Sequence, residues 1–420
     1  FLDRPRMTVG SAPDDSNRDN VYVTYTEFEL RYPLIDEYPY VGTPTIKTTI
    51  KLARSTDKAL TFSSPISASP TYSYQYGEVY HRIVQGSKPV VGPDGKLYVA
   101  YFDSMDDGVW MGLFAPTVTW STDGGQTFAK PITIDYLSEM DFSLPPTPFR
   151  AWPSMAPQIE VGPRGEVYAV VATKSVVKAW DDSDIYFFRS IDGGTTWSRR
   201  KVINDDLTTR DQFFPAIAVS GNGTIHVSFA DRRDDPQDVR YHIYYTKSSD
   251  RGENWMPNAR VSDYPSNPNF GIPSYIGDYF TLCIGGNDVY IVWTDTRLGG
   301  RGSSSEKIAF ARMRAVPPPS IFLSPPSGPA GVTVTIVGFN FAPKLREVYI
   351  EVDGVITSSV LTNEEGRFTA TIFMPISGEG PHNVMAVDIS GNAAQATFYV
   401  DFGFGSIRNL DQLNELENVT

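Results

Sequence analysis

Four octapeptides with one spelling constrain this chain more than any other feature. They are Ser121–Phe128 (STDGGQTF), Ser190–Trp197 (SIDGGTTW), Ser248–Trp255 (SSDRGENW) and Ser55–Phe62 (STDKALTF). Their aspartates, Asp57, Asp123, Asp192 and Asp250, recur at intervals of 66, 69 and 58 residues. Repetition in phase means that one supersecondary unit is copied along the chain. The chemistry is that of a hairpin turn. Aspartate accepts hydrogen bonds from its own turn, and glycine supplies positive φ. The Ser and Thr hydroxyls tie the two sides together, and a closing aromatic such as Trp197 or Trp255 fills the gap between strands. These aspartates therefore read as structural.

A second pattern lies between the octapeptides. Val21–Thr26, Leu97–Phe102, Val167–Ala172, Ile225–Ala230 and Val289–Thr294 are β-branched, aromatic and apolar, and each reads as a buried or half-buried strand. A short strand precedes each of them: Arg6–Val9, Pro89–Val91, Pro157–Val161, Pro215–Val219 and Tyr279–Ile284. A third strand leads into each octapeptide, as Ile46–Arg54 and Tyr241–Lys247 do. The unit is strand, turn, strand, loop, strand, octapeptide, strand. Five units fill residues 1–315, and the fifth, ending at Lys307–Met313, lacks the octapeptide and the fourth strand. A four-stranded antiparallel unit repeated at this period predicts an all-β chain built as a β-propeller.

The octapeptides resemble the Asp box, S-x-D-x-G-x-T-W/F, of sialidases and sialidase-like BNR-repeat propellers, over residues 1–315. Asp3-Arg4-Pro5-Arg6-Met7, Gly277-Asp278-Tyr279 and Trp293-Thr294-Asp295-Thr296-Arg297 are similar to segments of the same group of secreted proteins. The resemblance implies a six-bladed architecture, so a sixth blade is expected upstream or from another segment. It also implies, for a working sialidase, three arginines on a sugar carboxylate, a Tyr–Glu nucleophile pair and an Asp acid/base. Guanidinium matches carboxylate bidentately, which is why arginine serves there. Candidate residues are Arg150, Arg210, Arg233 and Arg297 at strand ends, with Tyr275 or Tyr279 as the late tyrosine. No glutamate matches the tyrosine, and the Asp3-Arg4-Pro5-Arg6 order departs from the family's opening. Asp231-Arg232-Arg233 and Asp295-Thr296-Arg297 occupy equivalent repeat positions, which favours local ion pairs over substrate binding. Fold alone does not give activity. A binding or structural role is favoured, with an exo-sialidase-type hydrolase as the alternative.

Residues 316–320 (VPPPS) form a stiff proline linker. Residues 321–402 then carry short apolar strands: Ile321–Leu323, Val332–Val337, Glu347–Val352, Phe368–Phe373, His382–Val387 and Ala396–Val400. Six or seven strands over this length predict an immunoglobulin-like sandwich. Ser324–Gly331 with Val334–Phe339 resembles the start of IPT/TIG-type domains, and Asp388–Asn392 resembles a late turn of microbial surface Ig-like modules. The tail, residues 403–420, places Ile407, Leu410, Leu413 and Leu416 at the spacing that opens a helical stalk, against the plainer reading of a frayed terminus.

Charge narrows the partners. With 36 basic and 49 acidic residues the net charge is −13, which argues against nucleic acid. The expected partner is a glycan or a surface protein, and a homo-oligomer or filament is allowed by an unpaired propeller edge. The single cysteine, Cys283, excludes an internal disulfide and sits in an apolar run, so a buried free thiol is expected. The histidines His81, His226, His242 and His382 show no metal spacing, and no cofactor is implied. Acidic loops at Asp103, Asp106 and Asp107 and at Asp181, Asp182 and Asp184 are candidates for structural calcium, against the plainer reading of solvated loops. Trp110, Trp120, Trp152, Trp180 and Thr71–Tyr80 offer aromatic faces for sugar stacking, against ordinary core packing. Asn222 and Asn418 head N-glycosylation sequons. Both ends read as cut, with an anchor expected beyond Thr420 and an extracellular or cell-surface location.

Overall fold

The computed structural model describes residues 1–33, 42–78, 81–105, 112–140, 143–144, 149–150, 152–175, 183–271, 276–286, 288–300, 305–314, 319–343, 345–374, 378–389 and 391–401. Among these the chain is all-β, with short 3-10 turns at Trp152–Met155 and Pro268–Phe270. No helix of the described residues is long and apolar enough to cross a membrane. Residues 1–284 with 290–312 form one compact unit, and residues 285–289 with 313–420 form the other.

The first unit is a series of antiparallel sheets made from consecutive strands. Sheet 1 is Leu2–Ala12, Asp15–Arg31, Thr45–Ser55 and Ile66–Ser67, with Tyr72–Gln75 also on the third strand. Sheet 2 runs Val84–Val91, Leu97–Asp103 and Leu113–Ser121, flanked by the short strands Ile132–Thr133 and Leu137–Ser138. Sheet 3 is Gln158–Val161, Val167–Thr173, Asp184–Ser190 and Lys201–Val202. Sheet 4 is Gln212–Val219, Ile225–Asp231, His242–Ser248 and Ala259–Arg260. Sheet 5 has Thr281–Gly285, Asp288–Asp295 and Lys307–Arg314. The strand, turn, strand, strand order expected of each repeat is present. Three-strand sheet 5, without octapeptide or fourth strand, is also as expected among the described residues.

Second strands such as Leu97–Asp103, Val167–Thr173 and Ile225–Asp231 are buried at every position. Both of their faces are covered, which is why they read as unbroken apolar runs. Neighbouring sheets meet closely. A methyl on Gly10 of sheet 1 would lie 2.5 Å from Val91 of sheet 2, and one on Gly86 would lie 2.7 Å from Ala156 ahead of sheet 3. Phe187 of sheet 3 meets Trp255, after the third strand of sheet 4, edge-on at 5.0 Å. Phe214 of sheet 4 packs on Phe280 beside sheet 5 at 4.8 Å, and the Tyr241 hydroxyl donates to the Thr294 carbonyl at 2.6 Å.

The octapeptides form one repeated turn. The Ser hydroxyl donates to the aspartate Oδ1 at 2.7–2.8 Å in all four. Ala59, Gly125, Gly194 and Gly252 donate their amides back to that Ser oxygen at 2.7–2.9 Å. Thr61, Thr127, Thr196 and Asn254 donate their amides to Oδ1 at 2.9 Å. The side chains of the same four residues bond Oδ2. Trp197 caps its turn by donating Nε1 to the Gly194 carbonyl at 3.1 Å.

The second unit is two packed sheets. One holds Ser320–Ser324, Thr333–Phe339 and Phe368–Phe373. The other holds Ser327–Gly328, Ala393–Val400, Gly380–Asp388, Glu347–Val352 and Val355–Leu361. Val334, Ile336, Val348, Ile350, Val384 and Phe398 fill the space between them. A side chain at Gly338 would strike the Phe368 ring at 2.1 Å, so only glycine fits there. The strand Val355–Leu361 was not anticipated. It is a mostly exposed edge rich in Ser and Thr, so no apolar alternation marks it. Part of the linker and the whole tail 403–420, with its stalk residues and Asn418, lie outside the described residues.

Candidate functional site

The first strands of sheets 1, 2 and 4 share one irregularity. Register shifts fall between Asp3 and Arg6, between Gln85 and Lys88, and between Phe213 and Ala216. At the same step Arg4, Gly86 and Phe214 take positive φ of 50°, 68° and 52°. A bulge bends a strand and re-aims the side chain after it. Non-glycine residues hold such φ only where their surroundings over-determine them. Arg4 has those surroundings. It is buried, and its Nη1 donates to Asp278 Oδ2 at 2.8 Å. This ion pair ties the first strand of sheet 1 to the segment entering sheet 5.

Around this pair lies a cluster of charge. The guanidinium groups of Arg6 and Arg4 lie 4.6 and 5.4 Å from the Tyr279 ring centre. Arg6, Lys88 and Glu160 come from the first strands of sheets 1, 2 and 3, and each keeps partial access to solvent. They are near enough to feel one another. Burial pushes the Lys88 ammonium down, with Arg6 adding to the effect and Glu160 opposing it. Burial pushes the Glu160 carboxyl up, and Lys88 only partly restores it. Burial, then Arg4, lowers Arg6. The two cations, Arg6 and Lys88, form an anion-receptive surface, and burial makes the Glu160 carboxyl beside them harder to ionise. Tyr279 adds an exposed aromatic face.

The residues expected from sequence are mostly engaged elsewhere. Arg233 bonds Asp231 at 2.8 Å within its own sheet, and also Asp205 and Asn258. Arg297 pairs with Asp295 and Asp263 at 2.8 and 2.9 Å. Arg210 donates to the Pro236 carbonyl at 2.6 Å. Arg150 sits on the short strand Phe149–Arg150, paired with Ser143–Leu144. Tyr275 lies outside the described residues. Tyr279 faces arginines, and among the described residues it bonds no glutamate. Arg6, Lys88, Glu160 and Asp278 were missed. The signal was the repeated step Arg4-Pro5-Arg6, Gly86-Ser87-Lys88, Ala156-Pro157-Gln158 and Phe214-Pro215-Ala216, which places Lys88 level with Arg6 and Glu160 two residues beyond Gln158.

Cys283 is exposed, against the expectation of a buried thiol, because the alternate face of Thr281–Gly285 is uncovered. His226 and His242 are buried and bonded to the hydroxyls of Tyr245 and Ser262 at 2.7 and 2.9 Å. No group of three metal-ligating side chains occurs among the described residues. Asp103 is held bidentately by Arg82 at 2.7 Å, and Asp184 accepts from Asn204. Asp106, Asp107, Asp181, Asp182, Trp110 and Trp180 lie outside the described residues, as does the side chain of Trp152. Trp120 packs under the Lys96 ammonium at 4.3 Å rather than standing free. Asn222 is exposed in its turn, its Oδ1 accepting from Ser220 and Thr224.

No family model and no curated protein matches the chain. Solved structures do match in part. A protein of unknown function from Dyadobacter fermentans is similar at 12% identity and a TM-score of 0.42, over 94% of this chain and 93% of that one. A Hadza microbial sialidase is similar at 11% identity and a TM-score of 0.42, over 95% of this chain and 65% of that one. The α-L-arabinofuranosidase Arb93A of Fusarium graminearum is similar at 14% identity and a TM-score of 0.45, over 74% of this chain and 77% of that one.

Proposed function

We propose that residues 1–312 are an Asp-box propeller of five blades that binds an acidic glycan, or an acidic group on a surface protein, at its axis. The observation that carries this reading is the meeting of Arg6, Lys88 and Glu160 from three successive first strands, beside Tyr279. The Arg4–Asp278 pair supports an approach of the segment entering sheet 5 to the first strand of sheet 1. The second unit is an immunoglobulin-like module that carries the propeller, with extracellular location and glycosylation at Asn222 as part of the same reading. No cofactor enters this reading, and structural calcium at the acidic loops is no part of the binding surface it invokes.

Binding is favoured over sialidase-type hydrolysis by where the arginines go. Arg233 and Arg297 are neutralised by Asp231 and Asp295 of their own sheets, so they do not converge on one carboxylate. A hydrolase would also need a tyrosine activated by a nearby carboxylate. The test is binding to an immobilised panel of neutral, sialylated and uronic-acid glycans. Retention on the acidic members that Lys88→Ala weakens about tenfold supports the reading. Equal retention on neutral and acidic members overturns it.

A further inference from the structure

Inside the chain one joint is made three times. The fifth residue of an octapeptide seats on side chains of the preceding sheet, and a cation of that sheet donates to the carbonyl of the fourth. Gly125 sits against Leu52 and Tyr22 while Arg54 donates to the Gly124 carbonyl at 2.8 Å. Gly194 sits against Tyr98 and Trp120 while Lys96 donates to the Gly193 carbonyl at 2.8 Å. Gly252 sits on Phe187 while Arg189 donates to the Arg251 carbonyl at 2.9 Å.

Both halves of a fourth such joint are present and exposed. Sheet 5 carries a receptacle. Tyr290 stacks on Phe310 at 5.9 Å and 26°, as Tyr168 stacks on Phe187 at 5.9 Å and 24°. Arg312 follows Phe310 as Arg189 follows Phe187. Yet Phe310 is 60% exposed and Ile308 83%. Sheet 1 carries the turn. Lys58 and Ala59 are exposed and Leu60 is 82% exposed, whereas Gly125, Gly194 and Gly252 are all buried. Beside the turn lies a groove of about 710 Å³ lined by Val9, Val21, Thr56 and Lys58. The Arg4–Asp278 pair joins sheets 1 and 5, but it leaves these two faces uncovered.

We propose that the chain assembles head to tail, the Ser55–Phe62 turn of one copy seating on the Tyr290–Phe310 face of the next. Three internal interfaces of the same chemistry define the occupant. Ala59 departs from the glycines: in the seat of Gly252 a methyl would lie 2.2 Å from Phe187, so seating on the matching Phe310 requires that exposed ring to swing aside. The two faces differ, so the contact is heterologous and propagates into an open chain or a ring. This inference is independent of glycan binding.

The experiment is sedimentation of the whole chain from about 1 to 100 µM, with Phe310→Glu and Ala59→Arg variants checked for an unchanged melting transition. Association should raise the mass at least about twofold at the upper end, and each variant alone should abolish it. An equimolar mixture of the two variants should restore dimers that go no further, because one good turn then meets one good receptacle. A wild-type monomer throughout, association indifferent to either variant, or a mixture that stays monomeric overturns the proposal.

Discussion

Arg4 and Asp278 are 274 residues apart in sequence and 2.8 Å apart in space, buried on both sides. The pair spans from the first strand of the unit to its last sheet, so it is a long-range tie rather than a local one. Arg4 holds a strained positive φ to make it.

Removing one partner leaves the other charge buried without its ion-pair partner, which costs about 3–5 kcal/mol. Asp278→Ala is therefore expected to lower unfolding free energy by about that amount in urea titrations. The double variant Arg4→Leu with Asp278→Leu should recover much of the loss. Additive losses would show that the two residues do not act as a pair.

The octapeptide aspartates should govern acid stability. The hydroxyl of Thr196 and its amide hold Asp192 down at about 2, and Thr61 does the same for Asp57. The folded value lies below the unfolded one near 4, so the stabilisation is present at neutral pH. It is lost as pH falls from about 4 towards 2. Asp192→Asn should flatten that part of a melting-temperature profile and leave the profile above pH 5 with its original slope.

Glu160 makes the opposite prediction. Its folded value is raised by burial, so ionising it at neutral pH disfavours the folded state. Glu160→Gln should raise the melting temperature at pH 7 and leave it unchanged at a pH where the glutamate is protonated in both states. A lower melting temperature at pH 7 would mean that the carboxylate is stabilised by its neighbours.

His226 gives a third window. Burial lowers it from the usual value to about 4, with the Lys247 charge adding. It folds neutral and must charge when unfolded, so stability falls as pH drops from about 6.5 to 4. His226→Gln should remove that slope while keeping a hydrogen bond to Tyr245. Differential scanning calorimetry across the window reads it directly.

The repeat was legible because its turns are made of local bonds. Ser121, Asp123, Gly125 and Thr127 bond one another within seven residues, so sequence spelling carries the geometry. The second strands were legible because both faces are buried. The site was not, because it is assembled from first strands that lie far apart in sequence. Lys88 and Glu160 gain meaning only when sheets 2 and 3 stand side by side. Arg233 and Arg297 drew notice as arginines at strand ends, and Asp231 and Asp295 had already hinted that they were paired. Cys283 departs from expectation because an apolar run implies cover on both faces, and the Thr281–Gly285 strand of sheet 5 has a bare one.

The most direct test of the central claim combines binding and turnover in one cell. A sialylated oligosaccharide is titrated calorimetrically into the whole chain, into Lys88→Ala and into Arg6→Ala, and free sialic acid is measured afterwards. The account predicts saturable binding by the wild type, about tenfold weaker in each variant, and no released sialic acid. Steady release of sialic acid by the wild type, or binding that neither variant weakens, would contradict it.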